Sequence, residues 1–418
     1  MSESELDAPS RPEGPHPRLG RWPATKGGVR SESVRAANLA TVLRHLHLTG
    51  PCTRSQLVEH TGLTRTSVGA LVGELALAEL VTEHAALSDG TPGRPSPLVA
   101  VNRDDIAVLA IEIAVDSVAV AVVGLGGEVL TEMRIDRPRE RVTVAETVAD
   151  LTVLVGQTRA AASVRRLLGV GVAVAGIVRR ATNTVVLAPN LGWDDVPLGD
   201  LIAEACDLDV PVHVGNEGDL GALAEIRRGA AVGQRDVIYL SGEVGVGGGI
   251  VANGRPVIGR RGFAGEIGHL PVNPSGRRCG CGSRGCWETE VSETALLRRT
   301  GRPVDGGQHA ISELLSAAAA GDRDSLRALE RQGYWLGVGL AGLVNVFDPD
   351  IVVLGGMFRR VHGHVIDALR ASLATRVVAA ADGIAIVPSA LGSDVALLGA
   401  AELAFDPLLT DPLAAQPR

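Results

Sequence analysis

Aromatic side chains are scarce in this 418-residue chain, which has four Trp, four Phe and two Tyr. With 45% hydrophobic and 21% charged residues, its cores must close by aliphatic packing. No apolar run of about 18 uncharged residues occurs, so no membrane span is expected. Residues 1 to about 30 have no apolar signal-peptide segment, and the expectation is a cytoplasmic protein without a membrane partner. Positive charge is also in deficit, with 40 Lys and Arg against 48 Asp and Glu and a formal charge of -8. That excludes an overall basic field, so any nucleic-acid contact must rest on a local patch. Cysteines number five. Cys279, Cys281 and Cys286 cluster while Cys52 and Cys206 stand apart, which suits a metal site in a reducing compartment better than a disulfide framework.

The length calls for more than one domain. Residues 1–32 are rich in Pro, Gly and charge without periodicity and read as a disordered tail. From Ser33 to Leu48, Val34, Leu39, Val42, Leu43 and Leu46 recur at helical spacing, and Gly50-Pro51 ends the pattern. Thr53 caps a second short helix, in which Leu57 and Val58 face inward and Gly62 marks the turn. Thr64 opens a third, with Val68, Leu71, Val72 and Leu75 as its buried stripe. Leu80 to Val101 reads as two short strands around an Asp-Gly and Pro-Gly turn region, the form of a wing. Residues 33–102 are thus expected to form a winged helix-turn-helix domain. Beyond Ile106, short β-rich runs alternate with helical stretches, which predicts an α/β domain over 103–418. Its first run, Ile106 to Gly124, reads as a hairpin continuing into Val129 to Ile135. No sequence repeat is evident, although two βα lobes related by duplication could diverge this far.

Three helices with a tight glycine turn before the third would place that third helix in a major groove of double-stranded DNA. Thr64, Arg65, Thr66 and Ser67 at its start suit phosphates and base edges. Arg44 and Arg54 are candidates for backbone phosphates, and Arg94 on the wing for a minor groove.

The densest chemistry lies between Gly262 and Glu290. His269, Cys279, Cys281 and Cys286 form the Cys₃His set that closes a tetrahedral zinc without an open position, so a structural Zn²⁺ is expected. Glu266 and Glu288 flank the loop, where rigidly held carboxylates would suit a polyol. His269 can ligate through one ring nitrogen and offer the other to a ligand.

At these residues the chain resembles the ROK family, which joins sugar-responsive repressors to sugar kinases. The resemblance runs from about Ser33 to Pro407. It rests above all on Gly265-Glu266-Ile267-Gly268-His269 and on Cys279-x-Cys281-Gly282-x-x-Gly285-Cys286-x-Glu288. Weaker matches are Ala188 to Trp193, with Asn190, and Leu343 to Pro349 leading to Leu354-Gly355-Gly356. The resemblance implies an actin-like, ribonuclease-H-like two-lobed fold, zinc on the His and three Cys, and sugar on Glu266, His269 and Glu288. A winged helix-turn-helix ahead of it is the repressor arrangement, and Gly93-Arg94-Pro95 resembles those regulators' wing.

The departures from the kinases lie in three places. Their Asp-x-Gly-x-Thr phosphate loop is replaced by Glu112-Ile113-Ala114-Val115-Asp116, where no glycine permits close backbone approach. Their second loop has lost its threonine, reading Glu243-Val244-Gly245-Val246-Gly247-Gly248-Gly249. Their Asn-Asp pair, whose Asp is the general base, is Asn216-Glu217, and a longer side chain displaces the base by more than the roughly 0.5 Å tolerated in catalysis. Asn216 and Glu217 remain candidate sugar contacts. The expectation is a non-enzymatic homodimeric or homotetrameric regulator of carbohydrate genes. It would respond to a sugar or sugar phosphate and bind a pseudo-palindromic operator. Two other functions fit parts of the sequence: a sugar-blind regulator controlled by a partner protein, and an active ATP-dependent sugar kinase, which the broken phosphate loops oppose.

Overall fold

A computed structural model describes residues 31–84, 97–139, 142–162, 164–378 and 383–414. The head begins with α1 (Ser31–Thr49), β1 (Cys52–Thr53), α2 (Arg54–Thr61) and α3 (Arg65–Leu77). Thr53 caps α2 in a capping box with Gln56, and Gly62 ends that helix in the left-handed conformation. Thr64 caps α3 by accepting from the Ser67 amide. β2 (Val81–His84) and β3 (Leu98–Val101) are antiparallel strands, and β3 lies between β1 and β2. The tip that carries Arg94 lies outside the described residues. Of the apolar positions spaced along α1, Leu39, Val42, Leu43 and Leu46 enter the core, while Val34 is 46% exposed.

β4 (Ile106–Ile113), β5 (Ser117–Gly124) and β6 (Val129–Asp136) form an antiparallel meander. After α4 (Val144–Ala161), β7 (Arg166–Val174) pairs parallel with β4. A small sheet of β8 (Ile177–Arg179), β9 (Thr184–Ala188) and β10 (Trp193–Val196) follows, then α5 (Leu198–Ala205). β11 (Val212–Asn216) then pairs parallel with β7 and leads into α6 (Glu217–Arg228).

The second lobe repeats this plan. β12 (Val237–Gly242), β13 (Val246–Ala252) and β14 (Arg255–Pro256) form its meander. The metal loop, α7 (Glu288–Val291), α8 (Glu293–Arg299), α9 (Gly307–Ala319) and α10 (Arg323–Phe347) follow. β15 (Ile351–Gly355) adds parallel to β12; after α11 (Gly356–Ala374), β16 (Ala385–Pro388) adds parallel to β15. The sheet orders β6-β5-β4-β7-β11 and β14-β13-β12-β15-β16 are the same order of use, so the chain builds one topology twice.

The last helix, α12 (Val395–Thr410), returns to the first lobe. Val108, Ala110, Ala119 and Ala121 of the first sheet pack with α12, whereas Leu109, Ile111, Val118 and Val120 face the opposite side, where Leu151 and Leu154 of α4 pack. Both faces are therefore covered, and the strands are apolar throughout. Gly171 is required on β7, because a Cβ there would lie 1.8 Å from the Ala400 carbonyl oxygen of α12. The core that contains α12 also contains Leu43, Leu46, Leu57 and Val72 of the head, so the head and the first lobe share one apolar interior.

Candidate metal centre and effector cleft

His269 lies in a short 3₁₀ turn, Ile267–His269, and the three cysteines lie on the loop before α7. Gly285, at φ 71°, runs so close to Asn273 that a Cβ would lie 1.6 Å from its carbonyl oxygen. This brings Cys286 back beneath His269. One ligand atom from each of His269, Cys279, Cys281 and Cys286 lies within 4.8 Å of all the others. The Cys281 and Cys286 sulfurs are 3.7 Å apart, and the Cys279 sulfur is 3.5 Å from His269 Nδ1. A tetrahedral zinc with Zn–S near 2.3 Å and Zn–N near 2.0 Å would space its ligands by about 3.8 and 3.5 Å, so the donor set fits a zinc ion in size as in chemistry.

The loop forms one wall of a cavity of about 460 Å³ between the lobes. His269 turns Nδ1 toward Cys279 and Nε2 toward Glu266, 3.9 Å from its carboxylate. Glu288 lies 3.8 Å from His269 Nδ1 and accepts from the Cys279 thiol at 2.8 Å. Asn190 and Glu288 approach each other over Gly245. The structure thus brings Glu266, His269, Glu288, Asn190, Asn216 and Glu217 to one cavity.

Asn216 needs a correction of emphasis. Its Oδ1 accepts from the Gly218 and Asp219 amides as the N-cap of α6, and its Nδ2 donates to the Gly176 carbonyl at 2.8 Å. One N–H remains for a ligand, and the main task of the residue is to anchor the start of α6. Burial raises the Glu217 carboxyl to about 7, helped by the neighbouring Glu112 and Asp116. Burial likewise raises Glu243 to about 8, helped by Glu217, Glu293, Asp116 and Glu112. Burial also raises Glu266.

Sequence reasoning missed the ion pairs at the far end of the cavity. Arg134 donates to Glu112 at 2.9 Å. Arg139, on the loop after β6, donates to Asp116 at 2.9 and 3.1 Å and also reaches Glu293 on the second lobe. The run Arg137-Pro138-Arg139 carries no local signal of this, because its partners are remote in sequence.

On the head, Thr64, Arg65, Thr66 and Ser67 are all exposed at the start of α3. Arg54 is tied to Glu83 at 2.5 Å beside them. Arg44, which is exposed, also donates to the Leu409 carbonyl at 3.0 Å and so links the head to α12.

Residues 108–406 match the ROK family. The chain belongs to the ROK family. It is 28% identical to a xylose repressor of Bacillus spizizenii over 377 residues, 90% of this chain and 97% of that protein. Among solved ROK structures, a transcriptional regulator homologous to the E. coli MLC protein superposes with a TM-score of 0.75 at 26% identity, over 91% of this chain and 98% of that one. A Streptomyces griseus ROK glucokinase, in complex with glucose and AMPPNP, gives 0.62 at 30% identity over 71% of this chain and 98% of its own. The two-lobed α/β architecture is that of ROK sugar kinases and regulators, and the ROK portion here follows a head of three helices and a small antiparallel sheet. Among the described residues no helix is long and apolar enough to cross a membrane.

Proposed function

We propose that this protein is a transcriptional repressor that binds double-stranded DNA through its head and releases it when a free sugar fills the cleft. One observation carries this reading. Helix α3, with Arg65, Thr66 and Ser67 exposed at its start, shares a continuous core with the first of the two lobes whose cleft gathers Glu266, His269 and Glu288. Likeness to a xylose repressor over 90% of the chain supports the same reading. The protein acts in the cytoplasm as a homodimer or homotetramer, and two symmetry-related heads read a pseudo-palindromic operator. Arg54 and Arg94 add contacts to the DNA backbone and minor groove.

The metal held by His269, Cys279, Cys281 and Cys286 is a structural zinc, because soft thiolates disfavour magnesium and calcium and the closed set leaves no catalytic position. Bound zinc supplies rigidity to the loop. Glu266, Glu288 and the free edge of His269 then present fixed partners to sugar hydroxyls, and Glu217, raised to about 7, adds a carboxyl that can donate as well as accept.

The charge of the cleft favours a free sugar over a sugar phosphate. Arg134 and Arg139 are already paired with Glu112, Asp116 and Glu293. Arg359 and Arg360 also line the cavity, donating to the Ser389 and Gln308 carbonyls and the Ser312 hydroxyl, but its seven carboxyls outnumber its four guanidiniums, so a phosphate would enter an acidic surround. The same features argue against phosphoryl transfer, since Ala114 and Val115 replace a glycine-bearing phosphate loop, Glu243 occupies the second loop and Glu217 replaces the general base.

The test is thermal unfolding of the zinc-loaded protein with D-xylose, D-glucose and their phosphates, where a ligand at 100 times its Kd adds about 2.7 kcal/mol. A free sugar is expected to raise the midpoint and to weaken operator binding, with no ATP-dependent phosphorylation of it. Turnover of ATP, or no shift in a protein that still binds DNA, would overturn the reading.

A further inference from the structure

α6 has one end in the cleft and the other against the head. Its first turn carries Glu217, and Asn216 caps it while holding the Gly176 carbonyl. Its last turn carries Arg227 and Arg228. Twelve residues of α-helix make a rod of roughly 18 Å.

At the cleft end the rod is fastened to both lobes. Gly218 lies so close to β13 that a Cβ on it would be 2.5 Å from the Gly248 nitrogen. Arg180 of the first lobe pairs with Asp219 at 2.9 Å, and further along the helix, nearer its last turn, Ser389, after β16, donates to Glu225 at 2.5 Å. Relative motion of the lobes must therefore shift or strain α6.

At the other end three elements meet in a buried polar cluster. Arg228 reaches Glu402 of α12, donates to the Gly126 carbonyl at 2.7 Å and to the His47 carbonyl at 3.3 Å, and lies 2.6 Å from His47 Nε2. Arg227 donates to the Glu402 carboxylate at 2.9 Å and to Asp406 at 2.7 Å. His47, on the head's α1, accepts from the Gly126 amide at Nδ1 (3.0 Å), which leaves Nε2 to donate to Glu402 at 3.1 Å. The His47 and Glu402 side chains are 0% and 1% exposed. Buried groups with this many fixed partners tolerate few alternative arrangements, so a shift of Arg228 must be matched by a shift of α1 or leave polar groups unpaired.

We propose that α6 is the shaft between effector cleft and DNA head, and that the Arg228–Glu402–His47 cluster is the joint where cleft occupancy changes the head's orientation. The inference rests on the sugar-responsive repressor reading. With the joint made as seen here, the head is held in its DNA-binding arrangement. Sugar in the cleft moves the first turn of α6 against β13 and displaces Arg228 from His47.

The test uses the full-length zinc-loaded protein, D-xylose and D-glucose as probes, and an operator duplex selected by the protein from a random-sequence pool. In the wild type, the sugar that binds is expected to weaken operator affinity at least tenfold. In Arg228→Met that ratio falls below twofold while sugar affinity stays within twofold. Glu402→Gln serves the same purpose if Arg228→Met does not fold. Coupling is reciprocal, so operator binding alone should alter hydrogen exchange at the amides of residues 217–221 in the wild type and not in the variant. This arm needs no sugar. If neither sugar acts but the DNA arm responds, the effector reading falls and the shaft stands. If operator binding leaves residues 217–221 unchanged, or if the variant keeps the wild-type ratio, the shaft is overturned.

Discussion

Arg139 of the first lobe meets Glu293 of the second across the cleft, while the same guanidinium holds Asp116. Glu293 is 1% exposed in its side chain and Arg139 is 10% exposed, so the pair ties the lobes together with little exposure to water. It stands at the end of the cavity lined by Ala114 and Val115, where an internal cation meets the carboxyls gathered there.

Removing one partner of a buried pair leaves an uncompensated charge, at a cost of about 3 kcal/mol. Arg139→Ala is accordingly expected to lower stability by about that much in chemical denaturation. An apolar pair, Arg139→Met with Glu293→Leu, should recover most of the loss, because burying two charges is itself costly. An Arg139→Ala protein as stable as the wild type would show that the pair contributes nothing.

The helices of the head were legible because their ends are written locally: Thr53 and Thr64 are caps and Gly62 is a left-handed stop, all within reach of their own helix. The metal loop was legible for the same reason, since its four ligands fall within one short stretch. The duplication of the two lobes was not. A strand buried on both faces, such as β5, loses the alternation that would mark its register, and pairing order leaves no trace in composition. The tie from Arg44 to α12 was hidden for a like cause. Its partner Leu409 is 365 residues away, and an arginine on a helix gives no sign of which carbonyl it will meet. Arg139 and Glu293, 154 residues apart, were invisible on the same ground.

The pH dependence follows from Glu217 and Glu243, whose carboxyls burial raises from 4.5 to about 7 and about 8. Between pH 4.5 and 8 the native state holds protons on these groups that the unfolded chain has released. Their contribution to stability therefore falls as pH rises through that window. Burial pushes His45, His47 and His213 below their ordinary 6.5, and that opposes the trend on the acid side. Glu243→Gln isolates the effect, because the histidines are common to both proteins. Its melting midpoint relative to wild type is expected to climb from pH 5 to pH 8; a difference that does not change with pH would place the Glu243 carboxyl at an ordinary value.

Arg65 stands exposed at the first position of α3, between the capping Thr64 and Ser67, which hydrogen-bond each other. Arg65→Ala should weaken binding to the selected operator by about 1–3 kcal/mol, with a much smaller loss on unrelated duplex, if the guanidinium reads a base edge. Equal losses on both duplexes would make it a phosphate contact. An unchanged affinity on both would remove it from the interface.

The zinc loop can be tested apart from DNA. Cys281 is the exposed member of the ligand set, and its sulfur sits 3.7 Å from that of Cys286. Cys281→Ser should lower the metal content from about one zinc per chain and open the 262–290 loop to protease, since a closed Cys₃His site contributes folding energy outright. Because His269 faces Glu266 with one edge and Cys279 with the other, metal loss should also erase the sugar-induced thermal shift while α1 to α3, remote from the loop, keep their fold. Operator binding without sugar is then expected to survive in a protein that no longer responds to it. A Cys281→Ser protein that retained both zinc and response would mean that three ligands suffice to shape the cleft, and a chelated protein that still shifted with sugar would separate the metal from the effector site altogether.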